Sequence, residues 1–120
     1  SFAYHPEVQH EVAEMGVELE AIEAHLDRVC ADWVAGVDHG DRWPLKLVAA
    51  KQHVTDGAKR IVDRALTCSG GSGMFKGNEL ERLYRDVRCG GFHPANSLLA
   101  HEIVGKTALG VGLGEQPRWG

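Results

Sequence analysis

The residue types that could perform chemistry in this chain are concentrated in two glycine-rich stretches, SGGSGMFKGN at residues 69–78 and CGGFHPAN at residues 89–96. His93 lies between Gly91 and Pro94, in a loop that precedes a predicted helix. An imidazole in such a restrained loop can donate or accept a proton near neutral pH. The alternative interpretation is a histidine that only caps the helix or supports the fold.

The first glycine-rich stretch could let backbone N–H groups approach a pyrophosphate closely. It fits neither GxxxxGK[ST] nor GxGxxG, and it follows a predicted helix, whereas both phosphate motifs follow a strand. The residues alone therefore leave two interpretations open, a contact with a cofactor and a plain connection between helices.

No metal site is predicted. The His-Glu pairs that begin at His10 and His101 start like HExxH, but both lack the second histidine that would bind zinc. The cysteines are odd in number and lack CxxC spacing, so we predict three free thiols, Cys30, Cys68 and Cys89. Free thiols favour a reducing compartment, and the predicted location is the cytoplasm.

The charge distribution argues against a nucleic-acid partner. Residues 1–42 hold 10 acidic and 2 basic residues, whereas the rest of the chain holds 7 acidic and 11 basic residues. The basic residues are scattered among carboxylates without interleaved aromatic residues. The interpretation that they form a basic surface facing an anionic cofactor stays open. No segment approaches the roughly 20 apolar residues of a membrane span, so no membrane partner is predicted.

A long stripe of apolar residues, with steps of four and three, predicts a first helix with one buried face. The stripe consists of Val8, Val12, Met15, Leu19, Ile22, Leu26, Val29, Trp33 and Val37. A helix of about 45 Å is too long to bury this face on one short neighbour, so it needs a bundle or another subunit. A second helix is predicted from near Pro44 to Thr67, with Lys51 at the rim of its apolar face.

Two further helices follow the glycine-rich stretch. Asn78 is a predicted N-cap for a third helix over residues 79–88. Asn96 is the next predicted cap, for a fourth helix that stops around Gly110. The tail over residues 110–120 is predicted to be extended. Four helices without a convincing strand indicate an all-α, up-down four-helix bundle.

The segment SGGSGMFKGNELERLYRDVRCGGFHPANSLLAHEIVGKTALG resembles the C-terminal helical domain of the acyl-CoA dehydrogenase superfamily. Three features carry the resemblance together: the double glycine, the ER.YRD.R helix and the loop-helix after it. It extends back through VAAKQHVTDGAKRIVDRAL and covers about the last two-thirds of the chain. It implies that residues 1–120 are a single helical domain, the C-terminal domain of a longer flavoenzyme.

The resemblance also implies a cofactor and partners. Enzymes of this superfamily combine an N-terminal helical domain, a middle β domain and this bundle, and they assemble as dimers or tetramers. FAD lies between the β domain and the bundle, and the glycine pair matched by Gly70 and Gly71 approaches the FAD of the adjacent subunit. The threonine that begins the last helix is matched by Asn96, which retains capping ability. The isolated piece is therefore expected to be inactive.

The loop departs from the commonest pattern of the family. Ordinary members carry YEGT after the RD.R helix, where the glutamate abstracts the substrate α-proton, and Pro94 takes the place of that glutamate here. The HPAN loop after SGGS is more similar to the flavin-dependent monooxygenases of the superfamily, in which a histidine matched by His93 lies near the flavin. This branch implies hydrogen bonding to, or proton exchange with, a flavin C4a-peroxide, and it allows FMN instead of FAD.

Two classes of function therefore stay open. In the first, the chain forms one wall of the flavin and substrate site, and the oligomer interface, of an acyl-CoA dehydrogenase-like oxidoreductase or of a monooxygenase from the same superfamily. In the second, it is a non-catalytic helical module for self-association. Whether the substrate is an acyl-CoA or another small molecule cannot be read from these residues.

Overall fold

The computed structural model describes residues 1–115, and within this range the chain forms four α-helices joined by short 3₁₀ turns, with no strand. The helices are α1 (Pro6–Val34), α2 (Trp43–Ser69), α3 (Glu79–Val87) and α4 (Ser97–Leu109). The all-α, four-helix prediction is confirmed. No helix in this range is both long enough and apolar enough to cross a membrane.

The predicted start and stop signals act as expected. Pro44 occupies the first turn of α2, where its missing N–H costs no hydrogen bond. Asn78 and Asn96 both cap a helix, because their side-chain oxygens accept backbone N–H groups at 2.9 and 3.1 Å. α4 ends at Gly110, whose φ of 73° is left-handed and suits glycine. α1 ends at Val34, three residues before the predicted stripe does.

α2 is the central element, and the other three helices pack on it. α3 lies beside the C-terminal part of α2, where the Tyr84 hydroxyl donates a hydrogen bond to Asp63 at 3.3 Å. α4 lies beside the N-terminal part, where Pro44 and Thr107 line the same pocket. The short helices α3 and α4 therefore follow one another along the length of α2.

The face of α1 that packs toward α2 differs from the predicted stripe. Two rows of residues, each with a spacing of seven, are buried or half-buried, and one of these rows is polar. The apolar row is Val8, Met15, Ile22 and Val29, and the polar row is Glu11, Glu18, His25 and Asp32. The other predicted stripe residues Val12, Leu19, Leu26 and Trp33 stay 54%, 43%, 42% and 61% exposed.

The polar row turns inward because α2 supplies partners for it. Glu11 accepts a hydrogen bond from Arg64 at 2.7 Å, and Glu18 accepts one from Arg60 at 2.6 Å. Polar groups that have such partners can be placed in an interface without a large desolvation penalty. α2 is therefore the basic partner of Glu11 and Glu18.

The core of the described region is small. Its buried apolar side chains are Ile22, Val29, Ala50 and Ala100. Larger apolar side chains, by contrast, stay open to solvent, and Phe75 and Phe92 are 72% and 71% exposed. The described residues therefore bury few of their large apolar side chains.

The described part of the tail, residues 110–115, does not follow the prediction of an extended segment. It forms a turn in which the Glu115 N–H donates to the Gly112 carbonyl at 3.0 Å. The Lys106 ammonium holds this turn against α4 by donating to the Glu115 carbonyl at 2.5 Å. The rest of the predicted tail, residues 116–120, lies outside the described residues.

Candidate functional site

His93 lies in the loop between α3 and α4, and its backbone is held while its side chain is open. A 3₁₀ turn over Arg88–Gly91 follows α3, and the His93 N–H donates to the Cys89 carbonyl at 3.0 Å. The imidazole itself is exposed. The structure thus fixes where the side chain begins and leaves its nitrogens free to meet a ligand or a partner surface.

α2 holds this loop at both ends. Near the C-terminal end of the loop, the Lys51 ammonium donates to the His93 carbonyl at 2.8 Å and also to the Ala95 carbonyl. Near the N-terminal end of the loop, Gly90 packs closely against Thr55. A Cβ at Gly90 would come within 2.9 Å of the Thr55 Cβ. Positions 51 and 55 are one helical turn apart, so a single face of α2 supports the whole loop.

Lys51 is a site residue that the sequence interpretation placed only at the rim of the apolar face. The signal was present, because this lysine interrupts an otherwise apolar face of α2. Its partners could not be predicted, since they are backbone carbonyls more than forty positions away in the sequence.

An open, mostly apolar pocket of about 340 Å³ borders the same loop. It is lined by Phe92, Pro94, Ala95, Asn96, Leu98 and Leu99. The stretch from residue 89 to residue 96 contains no Asp or Glu, so the loop itself offers no carboxylate base. Its proton-transfer candidate is the His93 imidazole.

The structure brings two of the predicted site residues together and places the others far away. His93 and Asn96 share the loop, whereas Gly70 follows the last residue of α2. Lys51, which contacts the loop, precedes Gly70 by 19 residues, and at 1.5 Å per residue this is about 28 Å along the helix. The glycine pair and His93 therefore cannot form one compact site within a single chain.

The glycine pair is exposed and its surroundings are open. Gly70 has a φ of 66°, a conformation that favours glycine, whereas Gly71 has no positive φ. A Cβ built on either residue would meet no other atom within 4 Å. The backbone at Gly70 and Gly71 is thus accessible to a molecule that approaches from outside the chain.

The interface between α1 and α2 contains polar contacts that sequence reasoning missed. The hydrogen bond from Arg60 lowers the pKa of Glu18. Further along, the Nδ1 atoms of His25 and His53 lie 2.8 Å apart, which requires that one of them carries the shared proton. Burial, and then the charge of His53, lowers the pKa of His25. The seven-residue spacing of the polar row was the available signal.

A second polar cluster fixes the turn between α1 and α2. The buried Asp32 accepts hydrogen bonds from His39 Nε2 at 2.8 Å and from Arg28 Nε at 3.0 Å. These bonds, that from His39 above all, lower the pKa of Asp32. The His39 ring also meets the edge of Trp43, with ring centroids 4.8 Å apart. The contacts tie the end of α1 to the start of α2.

In residues 1–115 no group of three His, Cys, Asp or Glu side chains comes close enough to hold a metal ion. The three cysteines are free thiols.

Comparison with known proteins places most of the chain in one family. Residues 1–98 match the sequence model of the family described as "Acyl-CoA dehydrogenase, C-terminal domain". No solved structure matches the chain at a significant level.

Curated relatives include two nitrososynthases and one protein named for the acyl-CoA dehydrogenases. The chain is 37% identical over 75 residues to L-evernosamine nitrososynthase of a Micromonospora species. It is 45% identical over 51 residues to an amino sugar nitrososynthase of Streptomyces peucetius. It is 35% identical over 94 residues to YdbM of Bacillus subtilis, which is named for the acyl-CoA dehydrogenases.

The matches cover 62%, 42% and 74% of this chain, respectively. They cover only 18%, 13% and 23% of the relatives, so the chain spans less than a quarter of the length of any of these proteins.

Proposed function

This chain belongs to the acyl-CoA dehydrogenase C-terminal domain family, and from this premise we propose that it forms one wall of the flavin and substrate site in a longer oxidoreductase. The observation that carries the proposal is the loop of residues 89–96. There His93 is exposed, its neighbours Phe92 and Pro94 line an apolar pocket, and α2 holds the backbone in place. The short coverage of the relatives and the small core both favour further domains that pack on these helices.

FAD is the proposed cofactor, and the residues present fit it. The exposed backbone at Gly70 and Gly71 carries no side chain that would keep a pyrophosphate away. The cofactor would supply two-electron redox chemistry when bound. The chain's own residues would admit the pyrophosphate at the glycine pair and hold or move a proton at the His93 imidazole.

We infer that each chain serves two sites in a homo-oligomer. Because about 28 Å of α2 separate the glycine pair from the Lys51 contact to the loop, one chain would offer its glycines to one flavin and its His93 to another. A symmetric dimer or tetramer satisfies this arrangement, since every site then receives the same residues from two subunits. The exposed apolar row of α1 offers a surface for such assembly.

Oxygen transfer is a second candidate for the reaction, beside dehydrogenation of an acyl-CoA. It is favoured by the loop, which has no carboxylate to abstract a substrate α-proton. It is also favoured by the two relatives named nitrososynthases, because making a nitroso group from an amine places an oxygen atom on nitrogen. His93 would serve this reaction as a proton donor or acceptor at its imidazole nitrogens.

The proposal predicts that Gly71→Val in the full-length protein lowers the amount of bound flavin. Within the chain a valine is tolerated here, because Gly71 has no positive φ and no neighbour within 4 Å of its Cβ. Any loss of flavin would therefore report on an incoming cofactor. The measurement is the flavin absorbance per protein after purification, with circular dichroism to check the helix content.

Gly114→Val is the matched control, since Gly114 is also exposed, has no positive φ and has an open Cβ position. It should retain the flavin content of the wild type. Equal flavin content in Gly71→Val and in the wild type would contradict a cofactor contact at the glycine pair.

A further inference from the structure

Lys51 is an unusual residue for the place that it occupies. It lies on α2 near apolar neighbours such as the buried Ala50 and the half-buried Val54. No Asp or Glu side chain in residues 1–115 forms an ion pair with it. Its ammonium is instead directed at the carbonyl oxygens of His93 and Ala95.

These two carbonyls flank a residue that cannot support the loop. Pro94 has no N–H and therefore contributes no hydrogen-bond donor between them. A charged donor on a neighbouring helix replaces the missing local bond, and hydrogen bonds from an ammonium are stronger than those between neutral groups. One side chain thus fixes the backbone on both sides of Pro94.

We propose that Lys51 is a positioning residue that fixes the loop of residues 89–96 so that the His93 imidazole is presented in one place. Gly90 packed against Thr55 anchors the start of the loop, and Lys51 anchors its end. The inference rests on the proposed function, in which His93 meets the flavin or the substrate. It assigns to Lys51 a role that acts through His93 and involves no contact with either ligand.

The first measurement needs no activity and uses amide hydrogen exchange of the full-length protein. Lys51→Met keeps most of the side-chain length and removes the donors. Exchange at the His93 amide, which is bonded to the Cys89 carbonyl, should rise by about tenfold as the loop loses its anchor. Lys51→Arg retains a donor and should restore slow exchange. Lys46→Met is the matched control, because Lys46 is on the same helix and makes no hydrogen bond to the loop.

The second measurement uses the flavin-loaded protein, with molecular oxygen as the probe. The holo-protein is reduced with dithionite and mixed with air-saturated buffer, and flavin absorbance follows its reoxidation. Lys51→Met should slow reoxidation by about tenfold, since a misplaced proton donor is less effective. In a His93→Ala background the same substitution should have no further effect, because Lys51 acts through His93.

The outcomes separate the inference from the function on which it rests. Faster exchange together with a non-additive loss of reoxidation rate supports the inference. Unchanged amide exchange at His93 in Lys51→Met would show that Lys51 does not anchor the loop. Faster exchange with a wild-type rate, while His93→Ala is slow, overturns the positioning role and leaves the proposed function standing. If His93→Ala itself reoxidises like the wild type, the proposed role of His93 in the function fails, and the role of Lys51 fails with it.

Discussion

At the scale of single residues, the loop after α3 separates two tasks that are often in conflict. A group that exchanges protons must be accessible, but it must also stay in one place to be effective. Here the backbone of His93 is bonded on both sides, to Cys89 through its N–H and to Lys51 through its carbonyl. The imidazole forms no hydrogen bond within the described residues and remains exposed.

His93→Ala therefore tests the chemistry with little risk to the fold. In the full-length holo-protein we expect reoxidation of the reduced flavin to slow by about 10²-fold, the lower range for a lost acid-base group. If the reaction is oxygen transfer, more hydrogen peroxide should also be released per reduced flavin when the substrate is present, because less of the oxygen then reaches the substrate. His10→Ala is the control, because His10 is another exposed histidine and lies on α1, far from the loop of residues 89–96. Wild-type rate and peroxide yield in His93→Ala would remove this residue from the site.

At the scale of helices, the sequence predicts the elements better than their orientation. The starts at Pro44, Asn78 and Asn96 and the stop at Gly110 depend on local chemistry, and all four were predicted correctly. The buried face of α1 was predicted only in part, because an apolar stripe and a mixed stripe share the same steps of three and four. The choice between them depends on Arg60 and the other basic groups of α2, which no local pattern of α1 reveals.

The same limit applies to the site. The resemblance to a known family was sufficient to select His93, Asn96 and the glycine pair as candidates. Lys51 was predicted only at the rim of the apolar face, because its role depends on a contact between α2 and the loop that follows the next helix, α3. A lysine on an apolar face can indicate such a contact, but it does not identify the partner.

The packing of α1 on α2 depends on a glycine, and Gly57→Ala tests it. A Cβ at Gly57 would lie 2.6 Å from Ile22 Cγ2, and Ile22 is only 5% exposed and cannot move easily. Overpacking of this kind costs about 1–3 kcal/mol, which we expect to exceed the gain of about 1 kcal/mol in helix propensity. Urea unfolding of the purified protein should show a lower free energy of unfolding.

Gly16→Ala is the matched control, because Gly16 is also helical but has an open Cβ position. It should raise the free energy of unfolding by up to about 1 kcal/mol. If both variants prove equally stabilising, the close approach of α1 and α2 at Gly57 does not exist in solution.

At the scale of the whole molecule, the main feature is that the helix α1 is long whereas the buried core beside it is small. α1 has 29 residues, which corresponds to about 43 Å, but α2 covers only one of its faces. The neighbouring row of Val12, Leu19, Leu26 and Trp33 repeats every seven residues along the same helix. Such a repeat is typical of a helix that packs against a second long helix. The proposed division of each flavin site between two subunits requires an interface of this kind.

Leu26→Glu should therefore break the oligomer of the full-length protein and leave its helices intact. Leu26 is 42% exposed within the chain, so a glutamate there costs little in the monomer. In an apolar interface the same carboxylate would be buried without a partner, which is strongly unfavourable. Val17→Glu is the control, because Val17 is 72% exposed and lies nine residues, or about 2.5 turns, away on the opposite side of α1. Sedimentation velocity should show a smaller species for Leu26→Glu and the wild-type species for Val17→Glu. If Leu26→Glu keeps the wild-type mass, the row on α1 is not the subunit interface, and the two-subunit site needs another surface.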